Sequence, residues 1–143
     1  MHLYMEFVDY RAKYLEAQKH YDEILNEKAQ LFETTQPKAV ISDNEKISGG
    51  VKNNSFDDYL ITKEKQRIDE RLAESKKILE DRELLLKLKE KELRASNILI
   101  DKIYCMRYLD GVRVNRIAII ANYSESQIYR GLDEIRKSLK LIL

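Results

Sequence analysis

Ser124, Ser126, Gln127 and Arg130 fall within seven residues of one another near the C-terminal end of a 143-residue chain. Serine and glutamine both donate and accept hydrogen bonds, and arginine adds a planar cationic fork. Displayed together at one exposed helix start, this set suits the base edges and phosphates of a nucleic-acid duplex. Arg113, Arg116 and Lys137 lie on either side and add positive charge. Such chemistry is recognition, with no bond made or broken.

The surrounding residues must position that set. Ile117, Ala118, Ile120 and Ala121 predict a short amphipathic helix, with Ala118 small enough for two helices to cross closely. Asn122 follows where a sharp turn needs a left-handed backbone, which Asn tolerates better than most residues. Ser124 and Gln127 have capping-box spacing at the start of a second helix. Along it, Ile128, Leu132, Ile135 and Leu139 recur on one face. Ser126, Arg130, Asp133 and Lys137 fall on the other, with Gln127 at the edge. The pattern reads as a helix-turn-helix whose last helix, Ser124 to Lys140, enters the major groove. Ser126, Gln127 and Arg130 are then expected on base edges, and Arg113, Arg116 and Lys137 on phosphates. The alternative is an ordinary helix pair with a capped turn.

Arg107-Tyr108, Gly111, Ile117-Ala118, Tyr123-Ser124 and Ile128-Tyr129-Arg130 give this stretch a further likeness. It resembles region four of sigma factors, and most closely the sigma-like phage regulators of late transcription (the ArpU/RinA kind). Two positions depart from the pattern: Asn122 stands for the turn glycine, and Gly131 for an apolar residue. A glycine inside a helix costs about 1 kcal/mol relative to alanine. The resemblance covers about the last third of the chain. It implies a phage-encoded transcription regulator with RNA polymerase as a second partner. Nothing matches the promoter-melting region of sigma factors, so it implies an accessory activator.

Upstream, Leu3, Phe7, Tyr10, Tyr14, Ala17, Tyr21, Ile24, Lys28 and Leu31 alternate spacings of four and three, the seam of a coiled-coil-like helix. Residues 33–54 break the pattern. Thr34-Thr35-Gln36-Pro37 ends the helix, and a polar loop containing Ser48-Gly49-Gly50 reads as a hinge. Without a preceding strand and a Lys-Ser/Thr pair, Gly49-Gly50 is no phosphate loop. Ser55 then reads as the N-cap of a helix with Asp57 and Asp58 in its first turn, running to Arg94. Leu72, Leu79, Leu86 and Leu93 fall seven apart, and Ile61, Ile68 and Ser75 form a neighbouring row. These rows must pair with the first helix, with a second copy, or with both. A basic leucine zipper is rejected, because residues 63–94 alternate eleven Lys/Arg with nine Asp/Glu instead of opening on a basic block. Leu99, Ile103 and Met106 predict a supporting helix stopped by Gly111.

Composition narrows the classes further. Charged residues are 36% and the only proline is Pro37, which favours long solvated helices. The net charge is only +1, yet residues 96–143 hold eight Lys/Arg against five Asp/Glu while residues 1–54 hold seven against nine. Positive charge is thus biased weakly toward the reading module. Cys105, in the run Ile103-Tyr104-Cys105-Met106, reads as a buried structural thiol and suits a reducing cytoplasm. No signal peptide or membrane span is read. His2 and His20 are far apart without a ligand cluster, and no catalytic set, metal site or cofactor motif is found.

The expectation is an all-α protein: a long antiparallel helical hairpin or coiled coil over residues 1–95, then a three-helix helix-turn-helix unit over 96–143. Its expected partners are double-stranded DNA, RNA polymerase and further copies joined through the long helices. A coiled-coil interaction module without DNA binding is the rival reading. The small subunit of a phage packaging machine is a third.

Overall fold

The structure is a computed structural model that describes the backbone of residues 2–35 and 51–142 and the side chains of 2–33 and 57–141. Among the described residues the fold is all-helical, with no strand. The elements are α1 (Leu3–Thr35), α2 (Val51–Arg94), α3 (Leu99–Tyr104) continued by a π-helical turn (Cys105–Leu109), α4 (Val114–Ala121) and α5 (Glu125–Ile142). No described helix is long and apolar enough to cross a membrane.

The helix boundaries differ from expectation at the start of α2. It begins at Val51, so Ser55, Asp57 and Asp58 lie inside it instead of capping it. No proline or glycine lies between residues 51 and 55 to stop the helix extending upstream. α1 ends at Thr35, two residues before Pro37, whose ring disfavours helix at the preceding position. The hinge read at Gly49-Gly50 lies outside the described residues.

The chain divides into two compact units: Glu16–Asp81, and Met1–Leu15 with Arg82–Leu143. This partition is not the one at residue 95 read from the sequence. In the first unit Ala17, Ile24, Ile68 and Ser75 are buried, on the seams that the heptad spacing marks. Arg71 pairs with Glu27 at 2.8 Å and Lys28 with Asp69 at 2.7 Å. As α1 numbers rise α2 numbers fall, so the two helices run antiparallel there. Lys28, on the expected seam, is half exposed and uses its ammonium on Asp69. Such exposed pairs contribute about 0–1 kcal/mol each; the buried rows do most of the holding.

The second unit holds the larger core. Tyr4, Phe7 and Leu93 pack with Ile100, Ile103, Tyr104, Ile117, Ala118, Ile128, Leu132 and Ile135. Rings stack from His2 to Tyr4 to Tyr104 to Tyr108 at centroid spacings of 5.6, 5.5 and 5.0 Å, with Phe7 edge-on to Tyr104. At the middle lies Asp101, a wholly buried carboxylate that the sequence reading missed. It accepts the Tyr4 backbone N–H at 3.2 Å and the Ser96 hydroxyl at 2.9 Å. The Tyr4 N–H belongs to the first turn of α1, which has no carbonyl partner of its own, and the helix dipole there favours a negative charge. Ser96 also accepts the Ile98 N–H at 3.2 Å, fixing the break between α2 and α3.

Further out, Lys89 meets Glu6 at 3.2 Å and Glu92 at 3.2 Å. Hydrogen bonds to those carboxylates, Glu6 first, raise the lysine above its ordinary pKa. Arg82 donates to the Lys13 carbonyl at 2.8 Å. α1 and α2 are therefore antiparallel in this unit as well.

Replacing Asp101 with alanine leaves the buried Tyr4 N–H and the part-buried Ser96 hydroxyl without their acceptor. Leaving a buried donor without its acceptor costs about 1–3 kcal/mol. Asp101→Ala is expected to lower the unfolding free energy by about 2–3 kcal/mol in urea titration. A change below about 0.5 kcal/mol would show that the carboxylate does not hold α1 in place.

Candidate nucleic-acid interface

α5 is amphipathic as its spacing predicts. Ile128, Leu132 and Ile135 are buried and Leu139 is half-buried. Ser126, Arg130, Asp133 and Lys137 follow one another at intervals of four, three and four on the opposite face, and all are exposed. Arg113 and Arg116, at and just inside the start of α4, are exposed as well, as is Ser124. None of Arg113, Arg116, Arg130 and Lys137 meets a carboxylate among the described residues. Asp133 pairs with Arg136 at 3.5 Å.

Local chemistry fixes where this row starts. Asn122 is the one non-glycine residue at positive φ (59°) among the described residues, and it ends α4 in the left-handed conformation expected of it. The Tyr123 N–H returns to the Ala118 carbonyl at 3.0 Å and closes the turn. Ser124 then caps α5. Its hydroxyl accepts the Gln127 N–H at 3.3 Å, and its own N–H donates to Gln127 Oε1 at 3.0 Å. The Ser124 hydroxyl donates to the same oxygen at 3.1 Å. Gln127 thus spends its side-chain oxygen on the cap, and its amide NH2 group is what it has left to offer a ligand. Tyr129 and Arg136, which the sequence reading did not place in the site, stand exposed beside the row.

α4 differs from expectation on one side. Ile117 and Ala118 are buried, but Ile120 is 60% exposed and Ile119 80%. The inward direction is set by Val114, Ala118 and Ala121, which flank Ile117 on one side of the helix. At 100° per residue Ile120 lies on its other side.

Before α4, the supporting helix ends in a π-helical turn. The Asp110 N–H reaches Cys105 O at 3.0 Å, the Val112 N–H reaches Met106 O at 2.8 Å, and Gly111 takes φ 68°. That positive φ is the stop expected of Gly111. Asp110 also receives Arg94, at 3.2 and 3.3 Å. Cys105 is buried as expected, and that burial raises its thiol above the ordinary pKa. Among the described residues no group of three His, Cys, Asp or Glu side chains could hold a metal ion.

Gly131 acquires a reason. A Cβ built on it would lie 2.8 Å from Ile103 Cδ1, so the missing side chain lets α3 approach α5.

Comparison with family models, with curated proteins and with solved structures gave no match. The reading of this surface therefore rests on its own geometry.

The Gly131 contact makes a coupled prediction. Alanine there gains about 1 kcal/mol of helix propensity but meets the Ile103 δ-methyl. Gly131→Ala is expected to stabilise the Ile103→Val background and to give no gain in the native one. The coupling in a double-mutant cycle should be about 1 kcal/mol, read from urea midpoints. Strict additivity would refute the close-approach account.

Proposed function

We propose that the chain is a sequence-specific binder of double-stranded DNA that regulates transcription, with α4 and α5 as a helix-turn-helix. The observation that carries the reading is the uncovered row Ser126, Arg130 and Lys137 on the face of α5 opposite the core. A capped helix start that aims serine and arginine outward meets the steric and donor requirements of the major groove. Ser126, Arg130 and the free amide of Gln127 address base edges; Ser124 lies at the same end. Arg113, Arg116 and Lys137 neutralise phosphates and set the register.

The likeness to region four of sigma factors and to phage late regulators extends the proposal to an accessory activator that contacts RNA polymerase in the cytoplasm. Self-association through the long helices completes it. Leu84, Leu85 and Leu88 of α2 are exposed and support that step. With few phosphate contacts available to one chain, two copies on one site would add the affinity that one lacks.

Arg130→Ala should cost on the order of 1–3 kcal/mol on the preferred sequence and little on unrelated duplex, measured by gel-shift titration. Arg116→Ala should weaken binding to all sequences alike and reduce the log–log salt slope by about 1. Duplex affinity that is absent at low salt, or unchanged in Arg130→Ala, overturns this placement.

A further inference from the structure

Ile119 and Ile120 stand 80% and 60% exposed on the outer face of α4, and the duplex reading gives them no task. They border a concavity of about 1,040 Å³ that also takes in Val112, Arg113 and Arg116. An apolar pair left in water and rimmed by charge marks an interaction surface.

The charges select the occupant. Asp110, the acid on this surface, is engaged by Arg94, whereas Arg113 and Arg116 meet no carboxylate among the described residues. The surface is thus apolar with two uncompensated positive charges. A second copy meeting it across a two-fold axis would set those charges against their own counterparts. A duplex satisfies arginines but offers little apolar surface beyond thymine methyls. α4 is a helix and offers no strand edge, so recognition runs through its side chains.

We infer that α4 is a docking site for an acidic amphipathic helix of a partner protein, which lays large apolar side chains on Ile119 and Ile120 and carboxylates on Arg113 and Arg116. The same two arginines serve as phosphate anchors in the reading above. The inference does not rest on that reading, and its test is run without DNA.

The probe is a synthetic alanine-based helical peptide with leucines on one face and glutamates flanking them. Its control carries lysines in place of the glutamates. Binding to the full chain is followed by fluorescence anisotropy. The glutamate peptide should bind at least about tenfold more tightly than the lysine peptide. Ile119→Ser/Ile120→Ser should lose about tenfold or more, with an unchanged urea midpoint because both side chains are exposed. Arg113→Glu/Arg116→Glu should invert the preference between the two peptides. Equal binding of both peptides, no binding of the glutamate peptide, or undiminished binding by the isoleucine variant each overturns the proposal. So does a dimer in sedimentation that the isoleucine variant dissolves, because the occupant is then a second copy. Gel-shift on the isoleucine variant keeps the two readings apart, since duplex affinity should be retained while peptide affinity is lost.

Discussion

The buried carboxylate of Asp101 is the contact on which the unit that carries the candidate site depends. A carboxyl group in an apolar core is costly unless its oxygens are satisfied. Here one oxygen takes the Tyr4 N–H and the other the Ser96 hydroxyl. The first of these ties the beginning of α1 to α3, although 97 positions separate the two residues. The second fixes the break after α2. With both made, Tyr4 can lie against Tyr104, and the aromatic stack continues to Tyr108. The first fifteen residues are therefore part of the floor beneath α4 and α5, not an appendage to them.

From that floor the orientation of α5 follows by short steps. Ile103 sits against Gly131 because no side chain intervenes. Asn122 reverses the chain without the strain that a bulky residue would meet at positive φ. Ser124 and Gln127 exchange hydrogen bonds and define the first turn of α5. Each step is local, and together they turn Ser126, Arg130 and Lys137 away from the core. The cost appears at Gly131, where helix propensity is given up for close packing.

Much of this was legible in the residues. Heptad spacing marks the covered faces of α1 and α2, because a period near 3.5 is a property of the chain itself. The cap at Ser124, the left-handed turn at Asn122 and the stop at Gly111 are visible because each needs a particular residue type. Asp101 was not read, since a lone acid among apolar residues does not name its partner, and the partner here is a distant backbone N–H. A clue existed in its place between Ile100 and Ile103. The outward position of Ile120 was missed for another reason. Over two turns, four small and apolar residues fit more than one inward direction, and only the neighbour decides. The start of α2 was misplaced because Ser55 is a good cap but no barrier.

The two helices near the C-terminal end divide their outer surfaces by chemistry. On α5 the uncovered face carries mainly polar groups able to donate and accept hydrogen bonds, with Tyr129 and Leu141 also exposed. On α4 it is apolar with a positive rim. A helix that only supported its neighbour would gain solubility from polar residues at positions 119 and 120, and no packing constraint of the second unit forbids them. Other large hydrophobic side chains are exposed along the chain, but of these, among the described residues, only Leu141 is more exposed than Ile119. Arg113 and Arg116 border the apolar face of α4 and are also the phosphate contacts proposed for the duplex. A ligand of α4 and a ligand of α5 would therefore draw on the same pair of charges. On the two proposals together, a ligand on α4 would compete for the charges that a ligand on α5 uses.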